Sequence, residues 1–248
     1  TFSSAAGHPP GAFASWNPHA KTYVVWNVRE GMTEPGQWYL DRVNGRVVYW
    51  PLPGEDMNKA TAILPTQETI IRLNATGGGA LRDFTLRGFN LAVTTTPLMA
   101  AGFGAEGLSG AVDGDAVLID STLEDLQVRN VAGHGIKLRN PYNRNVTITD
   151  CEVETTGAGG IYLTSQESLI TENLVTHVGL MYAGAIGIFG GGDRNVISHN
   201  DVFDTSYTGI NGGGGTGNRI EENDIARVML VLNDGAATEA QRRLVTVL

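Results

Sequence analysis

From about residue 120 onward, apolar and polar residues alternate in short runs broken by Asn, Asp and Gly. A period of two belongs to strands, not helices. The runs also repeat. Leu123-Glu-Asp-Leu-Gln-Val128, Ile148-Thr-Asp-Cys-Glu-Val153, Ile170-Thr-Glu-Asn-Leu-Val175, Ile197-Ser-His-Asn-Asp-Val202 and Ile220-Glu-Glu-Asn-Asp-Ile225 align without gaps, their first residues 25, 22, 27 and 23 positions apart. Each is followed by a second phrase: Gly135-Ile-Lys-Leu138, Gly160-Ile-Tyr-Leu163, Ala185-Ile-Gly-Ile188, Gly209-Ile-Asn-Gly212 and Gly235-Ala-Ala237.

A unit of this length cannot bury its apolar face alone, so the units must stack as turns of a solenoid. The pattern predicts an all-β fold, a right-handed parallel β-helix. Within it, Ile136, Leu138, Ile161, Leu163, Ile186 and Ile188 are expected to fill the bore, and Lys137, Tyr162, Gly187 and Asn211 to face outward. The fourth residue of the first phrase reads Leu126, Cys151, Asn173, Asn200, Asn223. Stacked asparagines can hydrogen-bond amide to amide along the axis. A weaker early coil starts at Leu81-Arg-Asp-Phe-Thr-Leu86, with an insertion around 94–120 that would form a lobe beside the groove.

The front of the chain differs. Gln37-Trp-Tyr-Leu-Asp-Arg42 and Arg46-Val-Val-Tyr-Trp50 flank Asn44-Gly45, a hairpin signal. Residues 1–66 are therefore expected to be a capping region over the first coil, 67–237 the β-helix, and 238–248 an atypical tail. Helical propensity is confined to about 237–248.

Composition narrows the function. Glycine, at 33 residues, suits a chain of many tight turns. The net charge of −9 has the wrong sign for nucleic acid or anionic lipid. One cysteine, Cys151, allows no intrachain disulfide, and no Cys/His set has zinc spacing. No apolar run is long enough to span a bilayer. The chain opens on Thr1 without a leader, as expected of a processed export product or a fragment.

Pro35-Gly-Gln-Trp-Tyr-Leu-Asp-Arg42 and Val48-Tyr-Trp-Pro-Leu-Pro-Gly-Glu-Asp56 resemble the segment that precedes the solenoid in large bacterial right-handed β-helix proteins, many of them glycoside hydrolases. Ser206-Tyr-Thr-Gly-Ile210 and Val228-Met-Leu-Val-Leu-Asn-Asp-Gly235 are similar to their coil phrases. The resemblance implies a secreted or periplasmic protein, of the pectate-lyase-like type, acting on a poly- or oligosaccharide. Thr238-Glu-Ala-Gln-Arg-Arg243 departs from it where such proteins continue with an apolar strand, as a truncated chain would.

Glycoside hydrolysis needs two carboxyl groups. Asp234, just before the last Gly phrase, is the first candidate, with Asp204 and Asp193 as catalytic partners. Lys137, Tyr162, Asn211, Phe189 and His134, along the outward strip, are the expected substrate contacts. No cofactor is expected; calcium is the ion that a lyase reaction, or the acid column Asp125, Asp150, Glu172 and Glu222 with His199 among them, would take up, although splaying into water is that column's ordinary behaviour. The alternatives are a calcium-dependent polysaccharide lyase, with Lys137 and Arg139 as its basic pair, and a noncatalytic glycan-binding solenoid. The glycine runs 190–192 and 212–215 lack the lysine and helix of a nucleotide site.

Overall fold

The computed structural model describes residues 27–99, 101–239 and 245–247. It divides into two compact units at Leu64 and Pro65. In the first, strands Trp38–Asp41 and Arg46–Tyr49 pair antiparallel with Trp38 opposite Tyr49, as the Asn-Gly turn requires. Asp41 holds that turn, accepting from the Asn44 side chain at 2.8 Å and from Arg46 Nε at 3.1 Å.

The second unit is one parallel ladder of 19 strands, each paired with its counterpart one coil away. Its regularity lies in its corners. Every coil turns three times through a left-handed residue, five positions apart. The first column is Asp83, Asp120, Asn145, Glu167, Arg194 and Gly217; the second Gly88, Asp125, Asp150, Glu172, His199 and Glu222; the third Val93, Asn130, Thr155, His177, Asp204 and Arg227. All have φ between 49° and 75°, the region that Gly, Asn and Asp enter most cheaply. The second column is the acid column; Asp125, Asp150 and Glu172 splay into solvent, while Glu222, also exposed, meets His199 Nε2 at 2.7 Å.

The third residue after each first- and second-column corner points inward. Leu123, Ile148, Ile170, Ile197 and Ile220 stack on one side, and Val128, Val153, Val175 and Val202 on the next. From Ser121 onward the residue just after a corner also points inward, where the turn leaves backbone groups without partners. Here the asparagines act. Asn200 Nδ2 donates to Ser198 O before the corner, to Ile170 O of the preceding coil and to Asn223 Oδ1, at 2.9, 3.0 and 2.9 Å. Its Oδ1 accepts from the Asn173 backbone and side chain. A second ladder follows the first corner: Val146 N donates to Ser168 Oγ, Ser168 N to Asn195 Oδ1, and Asn195 N to Asn218 Oδ1.

Several details differ from the sequence expectation. Ile188, not Ile186, lies level with Ile161, so the third coil's phrase is Gly187-Ile-Phe-Gly190. The sequence Gly184-Ala-Ile-Gly-Ile-Phe offers two Ile after small residues, and the ladder selects the second. Ile186 is buried outside the bore, within 3.5 Å of where a Cβ on Gly104 would stand. Leu86, not Leu81, stands over Leu123, because sides only five residues long look alike one corner apart. Residues 110–114 and 117–120 are ladder strands, so the inserted segment ends near Ser109. Thr238–Glu239 and Val245–Val247 extend the ladder as strands where helical propensity was read, because an open coil offers unpaired backbone partners. Residues 240–244 lie outside the described residues.

Candidate functional site

Ladder register assembles one outward column: Arg72, Asp113, Lys137, Tyr162, Phe189 and Asn211. It therefore contains four of the expected substrate contacts, and His134 meets it edge-on. The Tyr162 and Phe189 rings stack with centroids 4.4 Å apart at 15°, while the His134 ring meets Tyr162 at 5.9 Å and 74°. Such stacking follows from coil spacing, because successive outward rings have only one strand separation between them.

The column is not an open strip. The inserted segment folds over it, with a short 3-10 turn at Phe103–Ala105. Between them lies a cleft of about 180 Å³, lined by Phe103, Gly104 and Glu106 from the insertion and by Tyr162, Phe189, Asn211, Gly213 and Gly214 from the coils. Phe103 also meets Tyr207 edge-on at 6.0 Å. Glycine is required at 213, where φ is +60° and a Cβ would come 2.7 Å from Gly191 Cα. A larger hollow of about 480 Å³ at the first corner column, around Arg82, Arg144 and Glu167, has no aromatic wall.

Lys137, expected to face solvent, is fully buried beneath the insertion. Its ammonium donates to the carbonyls of Glu106 and of Leu108, the latter at 2.6 Å, and lies 5.4 Å from the Tyr162 ring centroid. Burial pushes its pKa down to about 8, helped by the Arg139 charge and opposed by Asp113, Glu106 and Asp115. His134 is buried as well, with Nε2 2.9 Å from Ala105 O. Burial, and then the Lys137 charge, push its pKa down to about 4. The ring is thus neutral at pH 7, Nε2 carries the hydrogen, and Nδ1 is left buried with no partner. The same burial, reinforced by the Glu106 carboxylate, raises the Tyr162 hydroxyl to about 12. Lys137 and His134 therefore touch the wall of the cleft rather than its opening.

The three aspartates are not brought together. Asp193 ends a strand and accepts from Thr216 N at 2.8 Å, closing a turn. Asp204 sits at a third-column corner, gripped by Arg227 through Nε at 2.7 Å and Nη2 at 2.9 Å, which holds its carboxyl below the usual range. Asp234 is exposed, and its neighbour Gly235 packs against Thr208 and Tyr207. None of the three lines the cleft. The basic pair is likewise divided, since Arg139 Nε is bonded to Asp115 at 2.6 Å. Among the described residues, no group of three His, Cys, Asp or Glu could hold a metal ion.

Sequence reading missed Glu106, the carboxylate on the cleft wall, and Phe103. Neither belongs to a repeat, and the only signal was that an insertion interrupts the coils at the strip's level.

A family model described as the right-handed β-helix region matches residues 112–245, more than half of the 248-residue chain. The chain belongs to the right-handed β-helix family. No curated protein and no solved structure matches it. Right-handed β-helix regions are shared by carbohydrate-active enzymes and other proteins. In this β-helix the match begins at Val112, so the column from Asp113 onward is family structure and the wall at 101–109 lies before it.

Proposed function

We propose that the protein binds a poly- or oligosaccharide in the cleft between the outward column and residues 101–109, as an exported glycan-recognising β-helix. The observation that carries this is the stacked pair Tyr162 and Phe189 opening, with Asn211, onto the same hollow as Phe103 and Glu106. Aromatic rings pack against the CH groups of a sugar, while an amide and a carboxylate take its hydroxyls; a small apolar pocket with few convergent polar groups is the usual form of a ligand site.

Binding is better supported than turnover. Hydrolysis calls for two carboxyl groups about 5 to 10 Å apart across one sugar bond. Glu106 is the one carboxylate lining this cleft, and the aspartates expected to serve lie elsewhere. A lyase calls for a free base. Lys137 is committed to two carbonyls and Arg139 to Asp115. The test is calorimetry of the whole chain against a panel of neutral and acidic oligosaccharides. A member of the panel should bind, and Phe189→Ala should weaken it about tenfold, the equivalent of about 1.4 kcal/mol. Unchanged affinity in Phe189→Ala, or no binding across the panel, would refute the proposal.

A further inference from the structure

The wall of the cleft is fastened by two basic side chains, both enclosed by the wall itself. His134 Nε2 donates to Ala105 O, and Lys137 Nζ donates to the Glu106 and Leu108 carbonyls. Gly104 N donates to Gly184 O at 2.9 Å, and Ala105 and Leu108 form a small apolar cluster with Ala158 and Ala185, separate from the bore. We propose that Lys137 and His134 are positioning residues, which hold residues 101–109 as a proton-sensitive wall, so that the cleft closes with release of protons and opens in acid.

The geometry requires the coupling. His134 Nδ1 is buried against Gly159, whose Cβ would come 2.7 Å from it, and has no partner. A proton added there makes a buried N–H with no acceptor, so the protonated ring is stable only when the wall lifts and water enters. Lys137 obeys the same rule more weakly. Its ammonium has two carbonyls and a ring face in place of water, with Asp113 beside it in register, Asp115 and Glu106 nearby, and Arg139 opposing them. Arg72 already occupies Asp113, at 3.3 Å. Burial lowers the proton affinity of both groups, so the closed form binds fewer protons than the open form and gains population as pH rises. For His134 the gain falls between about 4 and its ordinary 6.5, and for Lys137 between about 8 and 10.5. Each step is bounded at roughly 300-fold in the closing equilibrium.

Only the saccharide role of this wall rests on the reading above; its movement is measurable without a sugar. The experiment is amide exchange of residues 101–109 in the whole chain from pH 4 to 10, expressed as protection over intrinsic rates, with the bore residues Ile197 and Val202 as reference. Protection of the wall should rise in two steps while the reference stays level. His134→Gln retains a donor for Ala105 O but cannot titrate, and should erase the lower step; Lys137→Met should erase the upper one. Should either variant fail to fold, the wild-type His134 ring titrated by NMR still decides: a midpoint near 4 agrees, and one near 6.5 overturns the proposal. Protection changing less than twofold across the range, or both steps persisting in both variants, would also overturn it.

Discussion

Asn200→Ala is expected to remove more stability than any other single exchange along the solenoid corners. The side chain is wholly buried and makes five hydrogen bonds: three through Nδ2, to Ile170 O, Ser198 O and Asn223 Oδ1, and two through Oδ1, from Asn173 N and Asn173 Nδ2. The two hydrogens of Nδ2 are shared among three acceptors, so about four bonds count; each is worth about 1 kcal/mol net, and the partners left behind stay buried, so the loss is roughly 4 kcal/mol. That is a large share of the whole stability of many domains, about 5 to 15 kcal/mol. Asn173 and Asn223 each make four such side-chain bonds and should lose less. In the same column, Leu126 and Cys151 stand without an amide, so Asn200→Leu should recover about 2 kcal/mol through burial. Urea unfolding followed by circular dichroism gives the total, and amide exchange at 170–202 detects opening confined to these coils. A loss below about 1 kcal/mol for Asn200→Ala would refute the claim that the ladder secures the corners.

Gly157→Ala should cost about 2 to 3 kcal/mol, since its Cβ would stand 2.2 Å from Ala132 O, whereas Gly184→Ala, with 3.6 Å to the nearest atom, should be near neutral in the same urea titration. Cys151 is buried with its thiol raised to about 11, so a thiol reagent at pH 8 should react only after unfolding; native-state labelling at the unfolded rate would contradict the packing. The Arg227 guanidinium holds Asp204 below the ordinary carboxylate pKa of about 3.9. Its contribution is therefore present above that pH and lost as pH falls through the depressed value, and Asp204→Asn should flatten the acid limb of the stability profile without altering saccharide binding.

The coil, its inward Ile and Val stacks and the asparagine ladder were legible because each is a local consequence repeated at nearly constant spacing. The second ladder was equally legible in retrospect: Ser168, Asn195 and Asn218 each stand two residues before an aligned Ile. The two-residue error at Ile186 and the one-corner slip at Leu81 share a cause. Short sides of like composition can be matched in more than one register, and only the backbone ladder chooses between them.

Alternating polarity, left-handed corner residues and Asn at one recurrent place determined that this chain would coil, since those demands are met within one turn and its neighbour. Whether Lys137 met water or protein was decided elsewhere. Residues 101–109 carry no repeat that marks where they fold, and their position follows from contacts with Gly184, His134 and Lys137, distant in sequence and adjacent only once the coils are stacked. The outward strip was written in the sequence; its cover, and with it the cleft, arose from tertiary packing, because burial depends on what lies above a side chain and not on the residues beside it.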